Sequence, residues 1–319
     1  MKKAFKIIGV ILTAVGIGLL VWTLAAADLD LSNLSTAKYV TSTHPIEGQI
    51  RNIEIDTEEA DIVFQPSEDG KCSVTIKEQE KVRHSVSEKD GTLKIGVEDH
   101  RKWIDRVGFF TKQMTITVYL PMAEYQGLQI KTATGDVVIA NEFAFGNAEI
   151  KTDTGDIRCN AHVRELCLIQ TDTGDISIDG MHAGNMDLSV TTGHIDLHYI
   201  ECGGTLAADV STGKVWLTEV NCGELVSKGD TGDITLKNVT AAHGFDIERS
   251  TGDVTFDHSD AAEINVKTST GDVSGTLRSE KIFFVETSTG DQKVPKTMTG
   301  GKCEIKTSTG DVHIEIEEN

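Results

Sequence analysis

One tripeptide constrains what this chain can fold into more than any other feature. Thr-Gly-Asp recurs around Gly135, Gly155, Gly174, Gly232, Gly252, Gly271, Gly290 and Gly310. Between the third and fourth of these the register continues as Thr192-Gly193-His194 and Thr212-Gly213-Lys214. Consecutive glycines lie 19 or 20 residues apart throughout. A fixed period of about 20 residues predicts a solenoid, in which each repeat buries its apolar face only by stacking on its neighbours.

Aligning the ten copies on their glycine shows which way each residue points. Position −7 is apolar in every copy, from Leu128 and Ala148 to Phe283 and Cys303. Position −5 is apolar except at Ser227, position +2 except at Gln292, and position +4 mostly so, with Gly275 as an exception. Intervening positions are polar, as at Lys131, Lys151, Asp209 and Lys267. This period-2 alternation predicts strands with one face buried. Its parity slips by one residue at the tripeptide, so Gly is expected to turn a corner with Thr facing inward and Asp outward. A second glycine cluster (Gly184, Gly203, Gly223, Gly244, Gly300) marks a third, shorter side. The expectation is an all-β, parallel β-solenoid of about ten coils, roughly 45–50 Å long at ~4.8 Å per coil.

The segment before the repeats divides into three. Lys2, Lys3 and Lys6 precede an apolar run, Ile7 to Ala27, whose 21 residues would span roughly 30 Å as a helix. Residues 1–27 therefore read as a transmembrane signal anchor, with the N-terminus cytoplasmic and the rest outside. Ala25-Ala26-Ala27 keeps a cleaved signal peptide as the competing reading. Residues 28–45 read as a polar tether. Residues 46–125 read as a degenerate first coil, with Ala60 in the glycine position, and a cap of antiparallel strands that includes a hairpin closed at Asp90-Gly91. Residues 126–319 are the solenoid. The chain carries a net charge of −20, and the basic anchor leaves −23 on the remainder, which disfavours nucleic acid as a partner.

The anchor, the alternating leader, the strand ending in Pro121 and the serial S/T-x-T-G-D-I/V repeats together resemble the bacterial putative-adhesin family of LiaG-like β-solenoids, over about residues 46–319. The resemblance implies a cell-envelope location and brings no established catalytic residues.

Among candidate sites the outward ladder Asp233, Asp253, Asp272, Asp291 and Asp311 is where a shared cation such as Ca2+ would sit, because carboxylates one rung apart repel. The competing reading has each Asp bond its own turn, and no other cofactor is expected. His194 and His198, four residues apart on a strand, lie ~13 Å apart and do not chelate one ion. Paired threonines such as Thr132/Thr134 and Thr268/Thr270 suggest an ice-binding plane only if they face outward, and their parity points them inward. Cys159, Cys167 and Cys303 fall in apolar columns, whereas Cys202 and Cys222 each follow their glycine by nine residues and form the candidate disulfide. With no inserted loop to build a cleft, and Trp216 and Phe284 the candidate outward aromatics, the reading is a non-enzymatic, membrane-anchored extracytoplasmic module. It would be held by residues 7–27 and would meet an envelope protein or glycan, in adhesion or envelope-stress sensing. A glycan-active β-helix enzyme is the alternative. End-to-end assembly is disfavoured because Glu315, Glu317 and Glu318 are expected to blunt the last edge.

Overall fold

The structure, a computed structural model, describes residues 38–99 and 113–317. The expected membrane span lies outside them. Every regular element described is a strand, and all of them join one continuous sheet wound into a solenoid of about ten coils. The strands of the leader are β1 (Tyr39–Ile46), β2 (Asn52–Glu59), β3 (Asp61–Pro66), β4 (Cys72–Gln79), β5 (Val82–Lys89), β6 (Thr92–Asp99) and β7 (Thr115–Leu120). The next coils are formed by β8 (Glu124–Thr134) with β9 (Val137–Ile139), β10 (Ala144–Thr154) with β11 (Ile157–Cys159), and β12 (His162–Thr173) with β13 (Ile176–Asp179). After β14 (His182–Thr192), strands run unbroken around most of a coil: β15 (Ile195–Thr212), β16 (Val215–Thr231), β17 (Ile234–Thr251) and β18 (Val254–Thr270). The chain ends in β19 (Val273–Leu277), β20 (Lys281–Thr289), β21 (Gln292–Lys293), β22 (Gly301–Thr309) and β23 (Val312–Ile316).

Like residues stack on like. Ile130, Ile150, Ile169 and Leu188 follow one another in register, as do Ile195, Val215, Ile234 and Val254, and these side chains are at most 1 % exposed. Burying one such side chain stabilises by about 1.5–3 kcal/mol, so the repeated columns are the source of stability.

Two corners of each coil differ in what they demand. At the Thr-Gly-Asp corner the ten glycines have φ between +131° and +154°. A Cβ there would lie 1.7–2.1 Å from a backbone carbonyl oxygen of the adjoining coil. Ala60 takes the corresponding place in the first coil, beneath Gly135, and is absent from the positive-φ residues. Six residues after the glycine comes a second corner in the left-handed region, at Gly180 (φ 72°), Tyr199, Glu219, Asn238 and His258 (φ 52–55°). At Gly180 a Cβ would meet nothing within 4 Å, which explains why side chains are admitted there. Each still carries the cost of a left-handed backbone. Tyr199→Gly is expected to raise stability by about 0.5–1 kcal/mol, read as a later urea unfolding midpoint.

Several expectations are corrected. Residues 39–45, assigned to the tether, form with Ile46 a strand paired antiparallel with β4; it is rich in Thr and Ser with a weak apolar pattern, and pairing rather than amphipathicity holds it. In the cap, β4 and β5 do run antiparallel to their partners β7 and β6, and the hairpin turns at Asp90-Gly91 with both residues left-handed. Yet β6 and β7 pair parallel with β2 and β3 and form the outermost coil. Thr of the tripeptide is exposed; the inward threonines are those two residues earlier, Thr132, Thr152, Thr171, Thr268 and Thr307. The corner begins one residue sooner than parity suggests.

Coil order also departs from chain order at both ends. The first coil, β2–β3, lies between β6–β7 and β8–β9. At the other end β22–β23 slots between β18–β19 and β20–β21. Gln292 supplies a reason. It sits in the column that Val273 and Val312 occupy, so a coil with Gln inward is better left outermost than sandwiched between two apolar rungs.

Candidate functional site

The aspartate ladder is built by the corner itself. Each Asp carboxylate except that of Asp291, the last rung in space, accepts from the backbone N–H of the residue stacked on it: Asp156 N donates to Asp136 Oδ1 at 2.9 Å, Asp175 N to Asp156 at 2.9 Å and Asp272 N to Asp253 at 2.8 Å. The chain of bonds starts at Asp61, which accepts from Asp136 N. It follows spatial rather than chain order at the end, Asp311 N donating to Asp272 and Asp291 N to Asp311, both at 2.7 Å. The carboxylates thus bond the neighbouring coil rather than their own turn. A backbone N–H satisfies one oxygen of each of these and lessens the repulsion between rungs.

The interruption has the same logic. His194 keeps the ladder going, because its Nδ1 accepts from Lys214 N at 2.9 Å, which requires that nitrogen to be unprotonated. Lysine has no acceptor. Lys214 instead turns its ammonium to Asp233 Oδ2 at 2.9 Å, and that contact, with the Asp253 amide, holds the Asp233 carboxyl below its ordinary range. Trp216 lies against His194, ring centroids 5.1 Å apart. Three positions leave the pattern together: Arg249 stands where Thr132, Thr152, Thr171 and Thr268 stand in their coils, opposite Gly229 of the coil before, in which Ser227 interrupts the apolar column. Its guanidinium is buried and donates to Ser227 Oγ at 2.8 Å and Glu248 O at 3.1 Å. Burial pulls its pKa down to about 10.

A groove of about 690 Å³ runs along the third corner, across the coils from Glu124 to His243. Its floor is small: Gly184, Gly203 and Gly223 with Ala183, Cys202 and Cys222. His162, His182, Glu201 and Asn221 form one wall in successive coils. His162 and His182 meet edge to face at 5.0 Å, and His162 Nδ1 accepts from His182 N. Burial and the second imidazole depress the His162 pKa. Among the described residues no three His, Cys, Asp or Glu side chains converge as metal ligands.

The family profile described as Toastrack DUF4097 matches residues 50–215 and again 198–319. The chain belongs to the Toastrack DUF4097 family. Similar solved structures include a "putative adhesin" from Bacteroides fragilis, 15 % identical, covering 87 % of this chain and 97 % of that one with a TM-score of 0.42. Another, from Parabacteroides distasonis, is 11 % identical, with 86 % and 98 % covered and a TM-score of 0.45. A "putative lipid binding protein" from the same organism is 13 % identical, with 86 % and 98 % covered and a TM-score of 0.48. No curated protein matches.

In this Toastrack chain Cys202 and Cys222 face each other in register on adjacent coils, both as free thiols. Cys202 Sγ donates to Gly184 O and Thr205 O. Burial raises the Cys222 thiol to about 12. Cys159, Cys167 and Cys303 are buried in their columns. His198 and Asp196, on one strand, bond to each other at 2.9 Å.

The arrangement nearest to catalytic chemistry is one the sequence did not suggest. Thr57 Oγ1 lies 2.9 Å from His84 Nε2, and His84 Nδ1 lies 2.8 Å from Glu78 Oε2. Hydroxyl, imidazole and carboxylate are in the order of a nucleophile relay. All three residues are buried, and Glu78 also accepts from His84 N and Arg83 Nη1. Joining β2 to β4 and β5, the trio pins the cap to the first coil.

Proposed function

We propose that this Toastrack chain is a non-enzymatic interaction scaffold of the cell envelope, held at the membrane by residues 7–27 and displaying its solenoid outside. One observation carries the non-enzymatic reading: 19–20-residue coils follow one another without an inserted loop from Gly135 to Gly310, so the faces stay regular sheet. Binding is assigned to the third-corner groove, whose polar wall and exposed glycine backbone suit an extended partner, an envelope protein or glycan, lying along the solenoid axis.

Gly203 permits a clean test, because a Cβ there makes only ordinary contacts, 3.8 and 3.9 Å from backbone oxygens. Gly203→Arg is expected to fill the groove, keep the melting temperature and reduce retention on isolated envelope glycan at least tenfold. Equal retention would remove the groove from the reading. Release of reducing ends from that glycan by the wild-type chain would instead favour the glycan-active alternative.

The Asp233–Asp311 ladder is read as structural, since the carboxylates of Asp233, Asp253, Asp272 and Asp311 already serve an amide each. Calcium titrated to millimolar concentration is therefore expected to leave the thermal transition unmoved; a rise of several degrees would make the ladder a cation site.

A further inference from the structure

At its C-terminal end the solenoid leaves its core open. β20 is bonded to β22 along one edge and β21 to β23, and among the described residues no strand pairs with their outer edges. The inward side chains Phe283 and Val285, with Val294 just beyond, are only partly buried. Their counterparts in the outermost coil at the opposite end, Leu93, Ile95, Ile116 and Val118, are 0–2 % exposed. The asymmetry follows from the cap: β4 and β5 fold over β7 and β6, whereas among the described residues no strand folds over β20.

The outer face of this coil also carries large apolar side chains, beside Glu286 and Ser288. Ile282 is 38 % exposed, Phe284 54 % and Met298 92 %. An unpaired strand edge with such side chains is a template for another strand. The acidic terminus does not blunt it, because β23 lies one coil further in. Charge selects the occupant. At −20 overall, two copies repel over most of their surface. The open coil is close to neutral, with Lys281, Lys293 and Lys296 against Glu286 and Asp291 over residues 281–300, a net +1, so two copies can meet there without that repulsion. Lys281 is also neutralised internally by Asp260 at 2.6 Å.

We propose that a second copy of this chain docks on the open end, tail to tail, with the outer edges of the two β20 strands paired antiparallel about a two-fold axis near Phe284. The capped opposite end offers no matching edge, so the contact is isologous and closes at two copies instead of propagating as a fibre. A single coil's end face lies near the lower size limit of specific interfaces, which sets the expected dissociation constant at about micromolar.

Sedimentation equilibrium of the full chain in mild detergent tests this. A dimer is expected at about 10–50 micromolar, within the concentration window that the expected affinity sets. Ile282→Lys combined with Phe284→Lys should weaken it about 100-fold while leaving the melting temperature unchanged, since both side chains already face solvent. Phe284→Cys should form a covalent dimer on mild oxidation, and Trp216→Cys, in the middle of the solenoid, should not. The proposal is overturned by a monomer at those concentrations, by a dimer indifferent to the double substitution, by equal crosslinking from positions 284 and 216, or by assemblies larger than two.

Discussion

Deleting residues 301–319 is expected to destabilise the protein more than deleting residues 278–319, although the first deletion is the smaller. The longer truncation ends the chain after β19 and leaves a regular coil as the new edge. The shorter one removes a rung from between two others, because β22 and β23 separate β18 and β19 from β20 and β21. Cys303, Ile305, Val312 and Ile314, all at most 1 % exposed, are lost from the core, about 6–12 kcal/mol of gross apolar burial. Hydrogen exchange should show amides of residues 264–277 losing protection in the shorter truncation and keeping it in the longer. Equal protection in both would mean that coil order at this end is interchangeable.

A second large effect is expected at the Thr-Gly-Asp corner. In Gly213→Ala the added Cβ would lie 1.7 Å from the carbonyl oxygen of Gly193, on a backbone with φ +143°. Both the close approach and the torsion are nearly exclusive to glycine. The expected loss is about 4 kcal/mol, or roughly 8–16 °C in melting temperature for a domain of this size. Gly180→Ala is the control. That residue is also left-handed, at φ 72°, but has open space where a Cβ would go, and it should lose only about 1 kcal/mol. If the two variants melt alike, the carbonyl contact is not what keeps the corner glycine.

The floor of the groove, by contrast, was partly legible, in the second glycine cluster and in Cys202 and Cys222, but its wall was not. His162, His182, Glu201 and Asn221 keep the coil spacing of 20, 19 and 20 residues, yet two imidazoles, a carboxylate and an amide share no chemistry that would mark them as one site before the coils are stacked. The pin of Thr57, His84 and Glu78 was hidden for a similar reason, since its members come from β2, β5 and β4. A usable signal did exist for Arg249. Ser227, Gly229 and Arg249 break the apolar and threonine columns in adjoining coils, and a guanidinium needs room made for it by smaller neighbours.

What the sequence determined by itself is the repeat, the inward columns and the necessity of glycine at the first corner, all consequences of short-range periodicity and backbone sterics. The second corner escaped it. Left-handed torsions there are taken by Tyr199, Glu219, Asn238 and His258, residues that carry no turn signature in common. Tertiary structure alone decided the order of coils at the two ends. Stacking equivalent rungs has nearly the same local energy in any order, so the choice falls to which coil can tolerate an open face. Gln292 made that choice at the C-terminal end. The ladder of Thr-Gly-Asp corners therefore runs through Asp272, Asp311 and Asp291 in space, an order that the chain's own sequence does not follow.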